Sequence, residues 1–433
     1  MQVYSADWVL PIDGAPIEDG AVAVEGGRIA AVGTVDELGP GDAFPGAAIL
    51  PGFVNAHSHL EYAVYAGFGD GLNFGEWILI HIERKARIGW DEFVAIARAG
   101  AAECLRSGIT TIGDASFSGA AAIAASDLGL GATVYLEVFG MGREQLDGRF
   151  EESRERIGHV LGERVRLGVS PHAPYSVSPA LYAACFETGL PVMTHIAESE
   201  AEQRWLTDGE GPWEVFRDTL PPPPGERAVR MLAQEGLLRP GLAAAHCVHV
   251  DEDEIALLAE NGVAVAHCPR SNALLGCGIA PLADLRAAGV QVGLGTDSPA
   301  STPSFDMFEE LRTAVFVARA REQRADALLA TEALELATIG AAGVLGLADE
   351  VGSLVPGKRA DLAVVSLQGS PYEPWEDPAA AVVFGGAPER ILLTLTDGEE
   401  RYRRGETQWR ELTAAARHAR SRLLRAAGTR APT

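Results

Sequence analysis

Short apolar runs, each followed by a longer segment of helical period, occupy most of this chain. Strands buried on both faces give continuous apolar runs, and strands that alternate with helices are typical of parallel βα units. Eight such units predict a closed (β/α)8 barrel of the TIM type. The eight runs are residues 48–56, 109–114, 132–137, 166–170, 191–194, 242–245, 263–266 and 290–295.

The two ends of the chain carry a different pattern. Short β-like runs separated by Gly and Pro turns lie before residue 46 and again after residue 360, which is typical of a small sheet without covering helices. We therefore predict an α/β fold in which both ends form one small discontinuous β-sandwich beside the barrel. The predicted ranges are 1–50 and 356–406 for the β-sandwich, 51–355 for the barrel and 407–433 for a C-terminal helix and tail.

Composition excludes several classes of partner. With 60 acidic and 35 basic residues the net charge is −25, which disfavours nucleic acid as a partner. No apolar run reaches the roughly 20 residues that a membrane span needs, and the first residues show no secretory signal, so we expect a cytoplasmic protein without membrane contact. The five cysteines are odd in number and lack CxxC spacing, which indicates neither a disulfide framework nor a thiolate zinc site.

Histidines and an acid follow the predicted strands, where a barrel of this kind carries its chemistry. His57 and His59 are two residues apart, so on an extended strand both imidazoles point to one face. The other strand-end candidates are His195, His246, His267 and Asp297. Three neutral imidazoles and one carboxylate suit a divalent ion such as Zn²⁺ or Fe²⁺, which would lower the pKa of a bound water towards about 7.

The lysine content bears on the number of metal ions. Bridged two-metal barrels of this general kind use a carboxylated lysine from the middle strands. Lys85 and Lys358 are the only lysines in the chain, and neither falls there. We therefore expect a single divalent metal, with Zn²⁺ as the first candidate.

Six ordered motifs resemble the amidohydrolase superfamily, in particular its aminohydrolase branch, over about residues 45–360. They are residues 51–61, 170–178, 194–199, 245–249, 267–272 and 294–298. The resemblance implies His57, His59, His195 and Asp297 as metal ligands. It also implies Glu198 as the acid that protonates the ring nitrogen, His246 as the group that stabilises charge on the oxygen, and Asp297 as the base that passes a proton to the leaving amine.

The resemblance further suggests residues that contact substrate. His172 is similar to a histidine that touches the substrate in adenosine-type deaminases, and Trp77 either stacks on the ring or is a core residue. Glu83 occupies about the place of a glutamate that binds ribose hydroxyls; the alternative is an acid on a helix surface. Arg143 and Arg149 follow the third strand, where related enzymes hold a distal carboxylate, and solvated loop arginines are the alternative.

The motifs most resemble 6-aminodeoxyfutalosine deaminases of the menaquinone route, which act on an adenine nucleoside that carries a benzoate. Deaminases of methylthioadenosine or S-adenosylhomocysteine are the alternative, followed by guanine, 8-oxoguanine and triazine hydrolases, and remotely by a metal-free binding or scaffold protein. The expected partner is thus a small aminopurine-type molecule, and a homodimer is possible for this family. Pro221–Pro224 predict a stiff extended segment that either walls the pocket or meets another subunit.

Overall fold

The computed structural model describes residues 1–371, 373 and 376–426. In this part of the chain, fifteen strands form two sheets, one of eight strands and one of seven. The strands are β1 (Gln2–Val9), β2 (Ile17–Glu25), β3 (Arg28–Thr34), β4 (Asp42–Pro51), β5 (Phe53–Ser58), β6 (Ile109–Ser116), β7 (Gly131–Val138), β8 (Val165–Pro171), β9 (Val192–Ile196), β10 (Leu242–His246), β11 (Ala264–His267), β12 (Val292–Leu294), β13 (Leu362–Ser366), β14 (Ile391–Thr396) and β15 (Glu399–Arg403).

The larger sheet is the predicted barrel. Strands β5 to β12 pair in parallel and in chain order. A parallel bridge between Ser58 and Asp297 brings the end of the first barrel strand beside the segment that follows the eighth. The strand residues are almost all buried, which explains why the sequence shows continuous apolar runs here instead of alternation. The (β/α)8 prediction is confirmed.

The first predicted run is divided between the two sheets. Residues up to Pro51 belong to β4 of the smaller sheet, and those from Phe53 onward form β5 of the barrel. Gly52 lies between them, where a Cβ would approach the Thr110 side chain to 2.1 Å. The chain therefore crosses from one sheet to the other at a point where the Thr110 side chain leaves no room for a Cβ.

The smaller sheet joins both ends of the chain, in the order β15-β14-β13-β4-β1-β2-β3. Its β1 and β4 pair in parallel and its other neighbours are antiparallel. Asp361, next to β13, accepts a hydrogen bond of 2.7 Å from Arg164 of the barrel, which ties the sheet to the barrel. The small β unit predicted from the two ends of the chain is thus present as this sheet. The four predicted domain ranges stay a prediction.

Helices surround the barrel and cover its mouth. Helix α2 begins with a capping box between Asn73 and Glu76 and lies over the C-terminal ends of the strands. The helices are α1 (Val35–Leu38), α2 (Phe74–Lys85), α3 (Trp90–Arg106), α4 (Ala120–Leu128), α5 (Glu151–Ile157), α6 (Pro179–Glu187), α7 (Glu200–Asp208), α8 (Ala228–Gln234), α9 (Glu252–Glu260), α10 (Pro269–Leu274), α11 (Leu282–Ala287), α12 (Met307–Glu322), α13 (Ala330–Glu335), α14 (Ala341–Val344), α15 (Pro378–Gly385) and α16 (Arg410–Ala426).

The C-terminal helix α16 packs on α3, and Ala419 and Leu423 are buried there. The predicted tail beyond it, residues 427–433, lies outside the described residues. Among the helices just given, none has both the length and the apolar character needed to cross a bilayer.

Candidate metal and catalytic site

Four side chains from the first, fifth and eighth barrel strands converge at the mouth. One nitrogen each of His57, His59 and His195 lies within 4.8 Å of the others. Asp297 completes the group, because its Oδ1 is 3.5 Å from His59 Nε2 and 3.7 Å from His57 Nε2. All four residues are buried.

Backbone carbonyls fix which nitrogen of two of these histidines carries hydrogen. His59 Nδ1 is 2.6 Å from the Ala115 carbonyl oxygen, and His195 Nδ1 is 2.7 Å from the His172 carbonyl oxygen. Because a carbonyl only accepts, both Nδ1 atoms must donate, and both Nε2 atoms carry lone pairs. These two Nε2 atoms face each other at 3.3 Å. Two acceptors at that distance repel each other unless a cation lies between them, and ligands of a tetrahedral zinc are about that far apart.

His57 and Asp297 fit the same ion. His57 Nε2 is buried and has no hydrogen-bond partner among the described residues. Asp297 Oδ2 accepts hydrogen bonds from Ser271 Oγ (2.6 Å) and Ser301 Oγ (2.7 Å), which leaves Oδ1 toward the histidines. A neutral imidazole with an orphaned nitrogen and a carboxylate with one free oxygen are donors that a divalent ion prefers. The residues present therefore fit one divalent metal.

Strained backbone aims several of these side chains. His246, Ala197 and Asp297 have φ of +75°, +54° and +55°. Residues with a Cβ rarely adopt such left-handed conformations, and where they do so the surrounding structure must compensate for the strain. Each follows or ends a barrel strand, so the turn directs functional groups inward at the mouth.

Glu198 lies in a buried turn that a second glutamate holds. Glu202 accepts hydrogen bonds from the backbone N–H groups of Ala197 (3.1 Å) and Glu198 (2.7 Å). This places Glu198 Oε1 3.7 Å from His246 Nε2. His246 Nδ1 lies 2.9 Å from Asn272 Oδ1, so Nδ1 donates and Nε2 faces the cavity as an acceptor.

The two acids of the site have opposite electrostatic environments. Burial, together with the charges of Asp297 and Glu202, raises the pKa of Glu198 well above its usual value. Burial also acts on Asp297, but the neighbouring histidines and the Ser271 hydroxyl outweigh it and lower its pKa below the usual value. The surroundings thus favour the protonated form of Glu198 and the ionised form of Asp297, a division typical of paired acid and base groups.

The structure brings some of the predicted substrate residues to the cavity. Trp77 lines it, stacks on His81 with ring centroids 5.2 Å apart, and donates from Nε1 to the Ala300 carbonyl oxygen (2.8 Å). His172 also lines it, with Nδ1 2.8 Å from Ser176 Oγ. His267 is buried outside the cavity lining.

Glu83 and Arg143 lie away from the cavity. Glu83 is two residues beyond His81, so it falls on the opposite side of α2, where its exposed carboxylate pairs with Arg87. Arg143 is exposed and pairs with Glu187 at 2.6 Å. Both residues therefore fit the alternatives given for them, an acid on a helix surface for Glu83 and a solvated loop arginine for Arg143. Arg149, in contrast, lies at a side pocket beside the cavity, and its guanidinium covers the Phe117 ring at 3.8 Å.

Among the cavity residues that sequence reasoning missed, two carry charged groups. Lys85 lies on the same face of α2 as His81, and Glu137 ends the third predicted strand run. Glu137 is 4 % exposed, and its Oε2 has no hydrogen-bond partner in the described part of the chain. The signal was available for Glu137, because the strand-end rule applied to the histidines selects it equally. For Lys85 the available signal was its rarity, because the chain has only two lysines and Lys85 is the first of them.

The segment Pro221–Pro224 follows two residues of the side-pocket wall, Thr219 and Leu220. The four prolines themselves do not line the pocket as the structure describes it. Their predicted role as a pocket wall is therefore not seen among the described lining residues. Their other predicted role, a contact with another subunit, stays a prediction.

Known proteins resemble this chain over nearly its whole length. The model of the amidohydrolase family matches residues 48–401. A 5-methylthioadenosine/S-adenosylhomocysteine deaminase from Symbiobacterium thermophilum is 34% identical, with 98% of this chain and 99% of the relative covered. A 5'-deoxyadenosine deaminase from Methanothermobacter thermautotrophicus is 32% identical, with 92% of each chain covered.

A solved structure agrees in fold and in sequence. The adenosine deaminase from Xanthomonas campestris, a structure with bound zinc, has a TM-score of 0.86 and 29% identity, and 98% of each chain is covered. The family predicted from the six motifs is therefore confirmed, and the chain belongs to the amidohydrolase family.

Proposed function

We propose that this chain, a hydrolytic deaminase, acts on the adenine ring of 6-aminodeoxyfutalosine and releases ammonia. Family membership and deaminase-named relatives support the reaction class. The observation that carries the chemistry is the grouping of Glu198, His246 and Asp297 beside the proposed metal ligands, in surroundings that raise the pKa of Glu198 and lower the pKa of Asp297. Hydrolytic removal of an amine from a ring needs both a proton donor and a proton acceptor.

His57, His59, His195 and Asp297 would hold the metal, and Zn²⁺ is the first candidate. When bound, a divalent ion makes a hydroxide-like nucleophile available near neutral pH. The protein's own groups move the protons. Glu198 donates its proton to the ring nitrogen next to the amino-bearing carbon, which makes that carbon a better electrophile.

Asp297 accepts a proton from the attacking water and delivers it to the departing amine. The C–O bond forms and the C–N bond breaks. The second proton of the water leaves the oxygen as it becomes a carbonyl and returns to Glu198, so the products are a hypoxanthine ring and ammonia and both acids regain their starting state. His246 Nε2, an acceptor in the neutral ring, receives a hydrogen bond from the attacking water. This hydrogen bond orients the oxygen while charge develops on it.

The proposed nucleoside has an adenine ring, a sugar and a benzoate. Trp77 and His172 lie where a purine would contact the cavity wall. A side pocket of about 360 Å³ adjoins the cavity and shares His172 with its lining, which offers room for a tail larger than a methylthio group. Methylthioadenosine or S-adenosylhomocysteine is the second candidate, because relatives of that name share up to 34% identity over the full length.

A coupled ammonia assay over six substrates tests the proposal. The panel is 6-aminodeoxyfutalosine, methylthioadenosine, S-adenosylhomocysteine, adenosine, guanine and 8-oxoguanine. We expect 6-aminodeoxyfutalosine to exceed every other member at least tenfold in kcat/KM. A tenfold lead for methylthioadenosine or S-adenosylhomocysteine would select the second candidate, and a lead for guanine would remove the nucleoside assignment. Protein that holds less than half an equivalent of metal and releases no ammonia would favour the scaffold alternative.

A further inference from the structure

The orientation of the Asp297 carboxylate depends on two separate segments of the chain. Its Oδ2 accepts hydrogen bonds from Ser271 Oγ on α10 and from Ser301 Oγ in the loop that follows β12. Two donors at one oxygen fix the rotation of a carboxylate only while both donors keep their places. The distance between α10 and this loop therefore sets how Asp297 presents Oδ1 to the proposed metal ligands.

Arg270, the residue before Ser271, connects the two segments. Its guanidinium donates from one nitrogen to the Asp306 carbonyl oxygen (2.7 Å) and from another to the Ser304 carbonyl oxygen (2.8 Å), both at the far end of the same loop. Its backbone N–H donates to Glu310 Oε1 at 2.9 Å, and its Nε lies 3.4 Å from Glu310 Oε2. The planar guanidinium presents its donors in a fixed fork, so these two bonds hold the end of the loop at one place relative to α10.

The burial of this contact argues against a role in stability alone. Arg270 is 7 % exposed and Glu310 is fully buried. Removing a cation and an acid from water costs free energy that their attraction only partly offsets, so apolar side chains of similar volume often stabilise a fold equally well. Apolar side chains, however, cannot supply directed hydrogen bonds. Arg270 is also absent from the described lining of the catalytic cavity, so any effect on the reaction passes through other residues.

We propose that Arg270 is a positioning residue for Asp297. It holds the Ser301 loop against α10, so that Ser271 and Ser301 together bind Oδ2 and leave Oδ1 free for the metal. This inference rests on the proposed function, because it concerns the carboxylate that is proposed to bind the metal and move the proton. Groups that orient a metal ligand typically contribute about 10–100-fold to metal affinity or activity, which sets the size of the expected effect.

The first test measures Zn²⁺ affinity by competition with a chelator, and kcat with whichever of the six panel substrates the wild type deaminates fastest. R270M should weaken Zn²⁺ binding about 10–100-fold and lower kcat of the metal-loaded protein at least tenfold, with KM within threefold. R164M is the matched control, because Arg164 also donates to a buried acid and to a backbone carbonyl oxygen but precedes β8, at the opposite rim of the barrel. It should lower the thermal midpoint while Zn²⁺ affinity and kcat stay within twofold of the wild type.

A second variant, R270K, keeps the test decisive if R270M does not fold. Lysine retains the positive charge beside Glu310 but lacks the planar fork that reaches both carbonyl oxygens. We expect R270K to have a thermal midpoint near that of the wild type and still to lose at least fivefold in Zn²⁺ affinity.

A double-mutant cycle separates positioning from general loosening of the fold. S301A removes one of the two hydrogen bonds to Oδ2, so adding R270M to S301A should weaken Zn²⁺ binding by less than a further threefold, whereas R164M and S301A should act independently. Wild-type Zn²⁺ affinity in folded R270M or R270K, or full additivity of R270M with S301A, overturns the inference. If the wild type releases no ammonia from any panel substrate while the coupling in Zn²⁺ affinity persists, the proposed function fails and the positioning role stands.

Discussion

Replacing Glu198 by Gln removes the proposed proton donor while it changes little else. The Glu198 residue is 6 % exposed, and its Oε1 lies 3.7 Å from His246 Nε2, which is beyond hydrogen-bond distance. Gln has the shape of the protonated carboxyl that burial favours here. Glu198 groups with His246 and Asp297 and lies outside the group of three proposed histidine ligands, which the substitution leaves intact. We therefore expect E198Q to fold and to bind metal like the wild type.

The expected loss is in turnover. A positioned general acid contributes about 10²–10⁴-fold, which corresponds to roughly 3–5 kcal/mol of transition-state stabilisation. Ammonia release should therefore fall by that factor in kcat while KM changes less than about threefold. Metal content by atomic emission and the thermal midpoint are measured on the same sample. E200Q is the matched control, because Glu200 lies two residues after Glu198, at the first position of α7, and its side chain is 77% exposed. If metal-loaded E198Q keeps more than a tenth of wild-type kcat, Glu198 is not the proton donor.

Three further changes test other parts of the site. D297N should bind less than half an equivalent of metal and lose at least about a thousandfold in kcat/KM; full metal content with normal turnover would contradict its two roles. E83Q should stay within twofold of wild-type kcat/KM, since Glu83 is exposed on the far side of α2; a tenfold rise in KM would return it to the substrate. Burial raises the pKa of Glu202 to about 7, so its folded form keeps a proton that the unfolded chain loses near pH 4.5. The stability of the wild type relative to E202Q should therefore fall by up to about 3 kcal/mol as pH rises from 4.5 to 7, and a pH-independent difference in urea unfolding would refute this.

The barrel and its chemistry could be predicted because they depend on local patterns. A strand buried on both faces needs a continuous apolar run, and the residues at the ends of such runs meet at one rim of a barrel. That rule selects His57, His195 and Asp297 without knowledge of any contact between them. Applied without preference for histidine, it also selects Asp114 and Glu137, which end the second and third predicted runs.

Tertiary contacts decided the remaining features of the fold and the site. Helical spacing places His81 and Lys85 on one face of α2 and Glu83 on the other, but only packing against the barrel mouth decides which face lines the cavity. The pairing of β4 with β13, more than 300 residues apart in sequence, and the passage between sheets at Gly52 are likewise tertiary. Strand and helix period follow from the backbone geometry of a few neighbouring residues, and the sequence determined those by itself. The side pocket combines residues of α2, of the loops after β6 and β7 and of the 212–220 segment, so its charge and shape exist only once the chain has folded.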